Sequence, residues 1–345
     1  MTSIASVLTV LLLLASTVHA EIILPPGFTM KAYVTGEGFD TTERAGRGLP
    51  SSSTIAIDNT GVMYLARTGR RYSGGEVDDL WPVFRFPAGG ARVVKSLEKP
   101  YLFGPPLPSA QVAALRNGRD LLVTTFDRDR NVGVLYFLNR GEAEMIAGGT
   151  PARGTPPTLM QPEGAAVDGA GNIYVADRGH QRIVKLDANG KLVERNIASV
   201  KRPRVLAMGT DGALWIAGDG TAEAPWSRGP GEVWRVAGDA APKMILTGPV
   251  VAGMGAGPAG HVFIADRQAP EIFALSPEGA RITFAKFTEG DAPRTLAFAP
   301  VTPETERAGI AGDLFVVTIV KGVWPVNEVF RISGPFGKFL REGGR

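Results

Sequence analysis

The 345-residue sequence contains no cysteine. This absence excludes disulfide bonds, cysteine-ligated metals, catalysis by a thiolate and a lipid anchor attached through cysteine. Histidine is almost as scarce, with three residues in the whole chain. After the first 20 residues, no apolar run approaches the length that crosses a bilayer. The sequence therefore predicts no transmembrane segment beyond its N-terminus.

An excess of charge of one sign is also lacking. The chain has 37 Lys and Arg against 34 Asp and Glu, for a formal net charge of +3. A nucleic-acid-binding domain would concentrate basic residues on one face, whereas here they are scattered. We therefore expect no nucleic acid partner.

The first 20 residues are typical of a secretory signal peptide. An apolar core at residues 7–14 is followed by the small-x-small pattern Val18-His19-Ala20, which predicts cleavage before Glu21. An uncleaved membrane anchor, the alternative, needs a longer apolar span. The expected protein is a single domain of residues 21–345, periplasmic or secreted, and export without disulfides suits a periplasm better.

Glycine and proline are abundant, at 44 and 26 residues, which suits short strands joined by tight turns. Residues 161–194 show the pattern best: three short β-runs and a fourth at Lys191–Glu194, separated by the turns Asp168–Gly171 and Asp187–Gly190. Four antiparallel strands of this length form one blade of a propeller. A lone blade cannot bury both faces, so it needs neighbours.

The same signature recurs along the chain. Inner strands are predicted to begin near Ser53, Gln111, Glu163, Arg204, Ala252 and Arg294. Second strands follow at Val62–Ala66, Asp120–Thr124, Asn172–Ala176, Ala213–Ala217, His261–Ala265 and Asp313–Val317, and third strands begin at Val83, Val134, Arg182, Glu232, Glu271 and Glu328. The predicted fold is an all-β, six-bladed β-propeller of four-stranded antiparallel blades.

Two terminal segments compete to close the ring. Phe28–Val34 precedes the first inner strand as a fourth strand precedes each later one, and Gly337–Leu340 also has the pattern of a fourth strand. Because an open ring would leave an unpaired edge, one of them should complete the sixth blade. We expect the N-terminal strand to do so.

Residues 162–192 resemble an NHL repeat, through Pro162-Glu-Gly164, Gly171-Asn172, Tyr174-Val-Ala-Asp177 and Arg182-Ile183. Such repeats build six-bladed propellers related in architecture to the SMP-30/gluconolactonase group. Leu24–Phe28 and Gly312–Val317 also look like segments of glucose and sorbosone dehydrogenase propellers, although Thr318–Lys321 then lacks the histidine of that group's catalytic segment. The resemblance implies the fold, while the activity differs widely among such proteins.

Two rings of residues are expected around one end of the central channel. The first is the set of inner-strand starts, and the second follows the second strands: Arg67, Thr125, Asp177, Gly218, Asp266 and Thr318. The resemblance implies a metal-binding role for Glu163, with a divalent ion such as Ca²⁺ as possible cofactor. Arg204 and Arg294 stand where the lactonase group has further oxygen ligands, so the alternative is that Glu163 pairs with an arginine across the channel.

Three other polar residues have both a structural and a functional interpretation. Asp177 and Asp266 can accept backbone hydrogen bonds in the following turn, or can bind a ligand together with Arg67, Arg204 and Arg294. His180 lies in a turn where NHL repeats usually carry Asn, and can be a turn residue or a general base. His261, at the opposite end of the fifth blade, is expected to be structural.

Three inserted segments on the same face each carry a tryptophan: Trp81 in 68–82, Trp226 in 219–231 and Trp324 in 319–326. Aromatic planes beside basic residues can stack on a sugar or a planar ring, or can pin a loop to the blade beneath it. The prediction is a propeller that binds a small polar ligand, sugar-like or anionic, or a protein partner. The alternative is a gluconolactonase-like hydrolase or a sugar dehydrogenase-like enzyme, which requires Glu163, Asp177, Asp266 and His180 to converge.

Overall fold

The structure is a computed structural model that describes residues 22–36, 49, 54–66, 80–93, 99–127, 130–221, 228–288, 291–320 and 327–343. The predicted signal peptide, residues 1–20, lies outside this part of the chain. No helix within the described ranges is long and apolar enough to cross a membrane.

Six antiparallel sheets form a ring, which confirms the predicted six-bladed propeller. In chain order, blades 1 to 3 contain β3 (Thr54–Ile57), β4 (Met63–Ala66), β5 (Leu80–Phe86) and β7 (Leu102–Pro108); β8 (Gln111–Arg116), β9 (Asp120–Asp127), β10 (Val132–Asn139) and β11 (Glu142–Gly148); and β12 (Pro162–Val167), β13 (Ile173–Asp177), β14 (Arg182–Leu186) and β15 (Leu192–Ser199).

Blades 4 to 6 repeat the arrangement. They contain β16 (Pro203–Met208), β17 (Leu214–Gly218), β18 (Gly231–Val236) and β19 (Lys243–Gly248); β20 (Val251–Ala256), β21 (Val262–Asp266), β22 (Glu271–Leu275) and β23 (Arg281–Phe287); and β24 (Asp291–Phe298), β25 (Leu314–Val320), β26 (Asn327–Ser333) and β2 (Thr29–Gly36). Two short strands extend the edges: β1 (Ile22–Ile23) on β23, and β6 (Ala91–Val93), parallel to β2.

The N-terminal strand closes the ring, as predicted. β2 pairs antiparallel with β26, from Thr29 opposite Ser333 to Val34 opposite Val329. The strand predicted at Gly337–Leu340 was wrong, because these residues lie in the second of two short helices among the described residues, α1 (Pro303–Arg307) and α2 (Phe336–Arg341). Phe336, Phe339 and Leu340 of α2 are buried against blades 5 and 6, so the alternating pattern that resembled a strand is one apolar helical face.

The core is divided into six apolar clusters, one at each junction between neighbouring blades. The cluster between blades 5 and 6 is rich in phenylalanine. Phe28 contacts the rings of Phe284, Phe336 and Phe339 edge-on, with ring centroids 4.9–5.9 Å apart. Such pairs add to the stabilisation that comes from burying apolar area, so the segment before β2 and helix α2 reinforce the blade that joins the two ends of the chain.

The ring has two distinct ends. The channel face is the end of the ring at which the inner strands begin and the second strands end. The opposite end, where tight turns join the first and second strands of the blades, is the turn face. On the turn face, Asp168 Oδ1 accepts hydrogen bonds from Ala170 N and Asn172 N, each 2.9 Å long, and Asp168 Oδ2 accepts from Tyr174 Oη at 3.0 Å.

Candidate functional site

Four consecutive inner strands contain a β-bulge near their start on the channel face. In blade 4, Pro203 pairs with Gly218 and Val205 with Ala217, which leaves Arg204 as the extra residue. The pairing skips Ala252 in blade 5 and Arg294 in blade 6 in the same way, and in blade 3 it skips Glu163 together with Gly164. β-Bulges redirect side chains and are frequent beside active sites. The inner-strand ring expected from the sequence is therefore a ring of bulged residues in these four blades.

The inner strands pack closely at the bulges. A Cβ atom on Gly164 would lie 2.6 Å from the carbonyl oxygen of Arg204, and one on Gly253 would lie 2.5 Å from the Cα atom of Thr295. Both distances are below any normal contact, so only glycine fits. Neighbouring blades thus approach one another backbone to backbone where the bulged residues lie.

Glu163 is bound by two carboxamides. Its Oε2 accepts a hydrogen bond from Gln111 Nε2 of blade 2 at 2.5 Å, and its Oε1 accepts from Gln161 Nε2 at 3.3 Å. Thr124 donates to the backbone carbonyl of Glu163, and the residue is 1% exposed. Glu163 therefore lies deep in the channel face, at the junction of blades 2 and 3.

Asp219 joins two arginines from different blades. Arg204 Nε donates to Asp219 Oδ1 at 2.8 Å, and Arg178 Nη1 donates to Asp219 Oδ2 at 2.6 Å. Arg204 Nη2 also donates to the carbonyl of Val251 in blade 5. Burial raises the pKa of the Asp219 carboxyl, but the two guanidiniums outweigh it and the pKa lies below its ordinary value. This network links blades 3, 4 and 5.

A third buried carboxylate, Asp177, lies at the end of β13. Its Oδ1 accepts hydrogen bonds from the backbone of Met160 and Gln161 at 3.0 and 3.1 Å. Its Oδ2 lies 2.6 Å from His180 Nδ1 and 3.3 Å from Arg182 Nη2. The backbone partners of Asp177 come from the segment before the blade, not from the following turn as the structural interpretation supposed.

Asp266, at the matching position in blade 5, does have the expected turn role. Its Oδ1 accepts a hydrogen bond from Gln268 N at 2.9 Å. Burial raises the pKa of this carboxyl above its ordinary value, although the backbone N–H groups of Gln268 and Ala269 oppose the shift. Arg294, the bulged residue of blade 6, is half-buried and has a partner of its own.

The four residues named for the enzyme alternative converge only in part. Asp177 and His180 are in contact, and Gln161 connects Asp177 to Glu163 through its backbone N–H and its side chain. Asp266 lies two blades away and hydrogen-bonds within its own turn. The described contacts therefore form one cluster around Asp177 and a second around Asp219, with Arg178 and His180 in the same turn between them.

Asp219 and Arg178 were not among the predicted site residues. Blade 4 has Gly218 at the ring position that Asp177 and Asp266 occupy, so its aspartate comes one residue later and escaped the alignment. Arg178 follows Asp177 directly, and this position does not indicate a partner in blade 4. The run Gly218-Asp219 at the end of the second strand, with Arg202-Pro-Arg204 at the start of the inner strand, is the signal that would have indicated Asp219.

Of the three tryptophans predicted to lie in inserted segments, Trp81 is described, and it lies in β5 rather than in an inserted loop. It packs against the apolar cluster between blades 1 and 6, as the pinning interpretation expects. Arg67, Trp226 and Trp324 lie outside the described residues, and their ligand-binding roles stay predictions. His261 precedes β21 on the turn face, with its Nδ1 3.2 Å from the carbonyl oxygen of Ala259.

The described residues do not fit a divalent cation at Glu163. No group of three His, Asp or Glu side chains that could hold a metal ion occurs within these ranges. The two carboxylate oxygens of Glu163 face carboxamide N–H groups, whereas a Ca²⁺ ion takes six or more oxygen ligands. Calcium binding stays a prediction that implies a rearranged site.

Comparison with known protein families identifies one blade directly. Residues 159–186 match the NHL repeat. This segment covers β12, β13 and β14 of blade 3, together with Asp177 and His180. No protein of curated function matches the sequence of the chain.

Three solved structures illustrate the fold. Virginiamycin B lyase from Staphylococcus aureus is 12% identical, with 89% of this chain and 99% of that one aligned at a TM-score of 0.52. The PQQ-bound aldose sugar dehydrogenase of Streptomyces coelicolor is 14% identical, with 90% and 100% covered at a TM-score of 0.54. An auxiliary nutrient binding protein of Bacteroides ovatus is 13% identical, with 90% and 77% covered at 0.55. At such identities the likeness shows the propeller alone.

Proposed function

We propose that this propeller binds a small, polar, anionic molecule at its channel face. The observation that carries the proposal is the row of bulged inner strands, which redirects Glu163, Arg204 and Arg294 at the same end of the ring. A propeller that only needed a stable core would have no use for charged side chains at its most crowded positions, because burying a charge is costly.

Arg204 is the residue that we expect to contact the anion. Its Nε and Nη2 atoms are fixed by Asp219 and by the carbonyl of Val251. Its Nη1 atom has no hydrogen bond to the described residues, and the Arg204 side chain keeps 12% of its surface exposed. A guanidinium held at two of its nitrogens is already oriented, so binding a carboxylate or phosphate through the third costs little conformational entropy.

The polar half of the ligand would face the junction of blades 2 and 3. Glu163 and Gln111 are buried there, while Gln161 is half-buried and reaches the surface. Carboxamide groups pair with hydroxyl groups as donor and acceptor. A molecule that carries both an anionic group and hydroxyl groups, such as a sugar acid, suits this combination of side chains.

A protein partner was the other predicted occupant. Its recognition would depend on Trp226 and Trp324, which lie outside the described residues. The small-ligand proposal instead rests on described contacts. The functions named for the similar structures, a lyase, a sugar dehydrogenase and a nutrient binding protein, differ so much that the ligand has to be inferred from this chain's own residues.

Thermal unfolding with glucuronate, gluconate and neutral glucose tests the proposal. A ligand at 100 times its Kd stabilises the folded state by about 2.7 kcal/mol, so the sugar acids should raise the unfolding midpoint more than glucose does. The rise should weaken with added salt. It should disappear in Arg204→Gln.

Arg235→Gln is the matched control, because Arg235 also pairs with an aspartate, Asp211, but on the turn face. This variant should respond to sugar acids as the wild type does. An equal response of Arg204→Gln and wild type would contradict the proposal, as would equal effects of glucose and the sugar acids.

Export completes the proposed function. It rests on the apolar core and small-x-small ending of residues 1–20. N-terminal sequencing of protein from a periplasmic fraction should begin at Glu21. Recovery of a chain that still begins at Met1 would contradict export by cleavage.

A further inference from the structure

His180 is held by a carboxylate that is itself immobile. The residue ends a short 3-10 turn, Arg178–His180, which follows β13 directly on the channel face. Asp177 is 0% exposed, and two backbone N–H groups fix its other oxygen. The imidazole is about a quarter exposed, with a side-chain accessibility of 26%. A buried, fully hydrogen-bonded Asp177 therefore orients a ring that reaches solvent.

The contacts assign the tautomer of this ring. His180 Nδ1 lies 2.6 Å from Asp177 Oδ2, a distance at which Nδ1 has to donate a proton to the carboxylate. Arg182 Nη2, 3.2 Å from Nδ1, is a donor as well, so it cannot donate to a protonated nitrogen and instead contacts Asp177 Oδ2. The neutral ring then carries its lone pair on Nε2.

Nε2 is available to a ligand. It makes no hydrogen bond to the residues that the structure describes, and it is not among their buried polar atoms without a partner. The same turn contributes Arg178 to the Asp219 network. A base and an anion-binding network are thus attached to one three-residue turn at the channel face.

We propose that His180 is a general base, positioned by Asp177, for the hydrolysis of acyclic carboxylic esters bound at the channel face. A water molecule gives its proton to Nε2 as its oxygen bonds to the carbonyl carbon. The imidazolium then returns this proton to the leaving alkoxide oxygen as the C–O bond breaks, so ester and water give acid and alcohol. This activity goes beyond ligand binding and needs no redox partner.

Hydrolysis of p-nitrophenyl acetate by the purified protein tests the proposal without knowledge of the natural substrate. His180→Asn is the informative variant, because its carboxamide nitrogen can replace Nδ1 as the donor to Asp177 while the base is lost. His261→Asn is the matched control, since His261 Nδ1 also contacts an oxygen, the Ala259 carbonyl, but on the turn face. General base catalysis contributes at least about 100-fold, so His180→Asn should lose about that factor in rate with an unchanged unfolding midpoint, and His261→Asn should keep the wild-type rate.

Two results would overturn the proposal. One is a wild-type rate no higher than that of free imidazole at the same concentration. The other is a His180→Asn variant that retains the wild-type rate. Nitrogen-15 NMR of the wild-type imidazoles provides a test that does not depend on any variant folding: the neutral ring of His180 should carry its proton on Nδ1, and a proton on Nε2 would remove the proposed base.

Discussion

Asp168, directly after β12, and Asp177, the last residue of β13, lie at opposite ends of the same blade, yet they are bound in opposite ways. Asp168, on the turn face, accepts all of its hydrogen bonds from residues within six positions along the chain, including Asn172 and Tyr174. Asp177, on the channel face, accepts backbone hydrogen bonds from residues 16 and 17 positions earlier, and Asp219 binds Arg178 from the blade before. Asp168 therefore stabilises a local turn, whereas Asp177 and Asp219 join separate segments and blades.

The largest effect should come from removing the carboxylate that joins two blades. Asp219→Asn would remove the carboxylate that binds the guanidiniums of Arg204 and Arg178, and breaking a buried ion pair typically costs about 3–5 kcal/mol of unfolding free energy. Urea denaturation measures the loss. The control is Asp239→Asn at an exposed position, expected within about 0.5 kcal/mol of wild type. Equal, small losses for the two variants would mean that the interblade network adds no stability.

The pH dependence of this difference follows from the pKa of Asp219, which is lowered in the folded state. A lowered carboxyl pKa stabilises the folded protein above the unfolded value of about 3.9. This stabilisation is lost as the pH falls through the folded value. The difference in unfolding free energy between wild type and Asp219→Asn should therefore become smaller in acid.

A smaller effect is expected on the turn face. Asp168→Ala removes acceptors for hydrogen bonds in one half-exposed turn, and we expect a loss of about 1–2 kcal/mol in urea denaturation. Asp58→Ala in blade 1 is a matched repeat, because Asp58 likewise accepts from Thr60 N, Val62 N and Tyr64 Oη. If either turn variant cost as much as Asp219→Asn, the contrast between the two faces would be wrong.

The stability that Asp266 contributes should depend on pH with the opposite sign from that of Asp219, although both residues lie on the channel face. Burial raises the pKa of Asp266, so stability from this group decreases as the pH rises from about 3.9 through the folded value. Asp266→Asn keeps the acceptor for Gln268 N and removes the charge. We expect a gain of roughly 0.5 kcal/mol at pH 7 and none at pH 3. A loss at pH 7 would show that a cation near Asp266 outweighs its burial.

The smallest effect concerns a titration. Burial and the hydrogen bond to Asp168 raise the pKa of Tyr174 to about 12. Asp168→Asn should lower this pKa towards the ordinary value, as followed by tyrosinate absorbance or by NMR of Tyr174. An unchanged pKa in the variant would show that burial alone accounts for the shift.

The sequence was informative wherever the determining contacts are local. The turns at Asp168–Gly171, the second strands and the N-terminal strand were predicted because their patterns repeat at blade spacing. Helix α2 was missed, because its apolar residues Phe336, Phe339 and Leu340 fit either a short strand or one turn of helix until their partners in blades 5 and 6 are known.

The positions of the channel-face residues could be predicted from the sequence, but the contacts between them could not. The inner-strand starts indicated Glu163, Arg204 and Arg294, and all three are skipped by the strand pairing. Their contacts depend on how the blades pack against one another. Examples are the hydrogen bonds of Arg204 to Asp219 and to the carbonyl of Val251, and those of Asp177 to the backbone of Met160 and Gln161. No sequence spacing encodes such contacts.

The central claim is that the channel face, not the turn face, receives an anionic polar ligand. The most direct measurement is a two-dimensional amide NMR titration of the isotope-labelled protein with glucuronate. The account predicts that the signals of Gly164, Arg204 and Asp219 shift in a saturable manner while those of Asp58 and Asp168 stay in place. Shifts confined to the turn-face residues, or no saturable shift at the channel face, would contradict it.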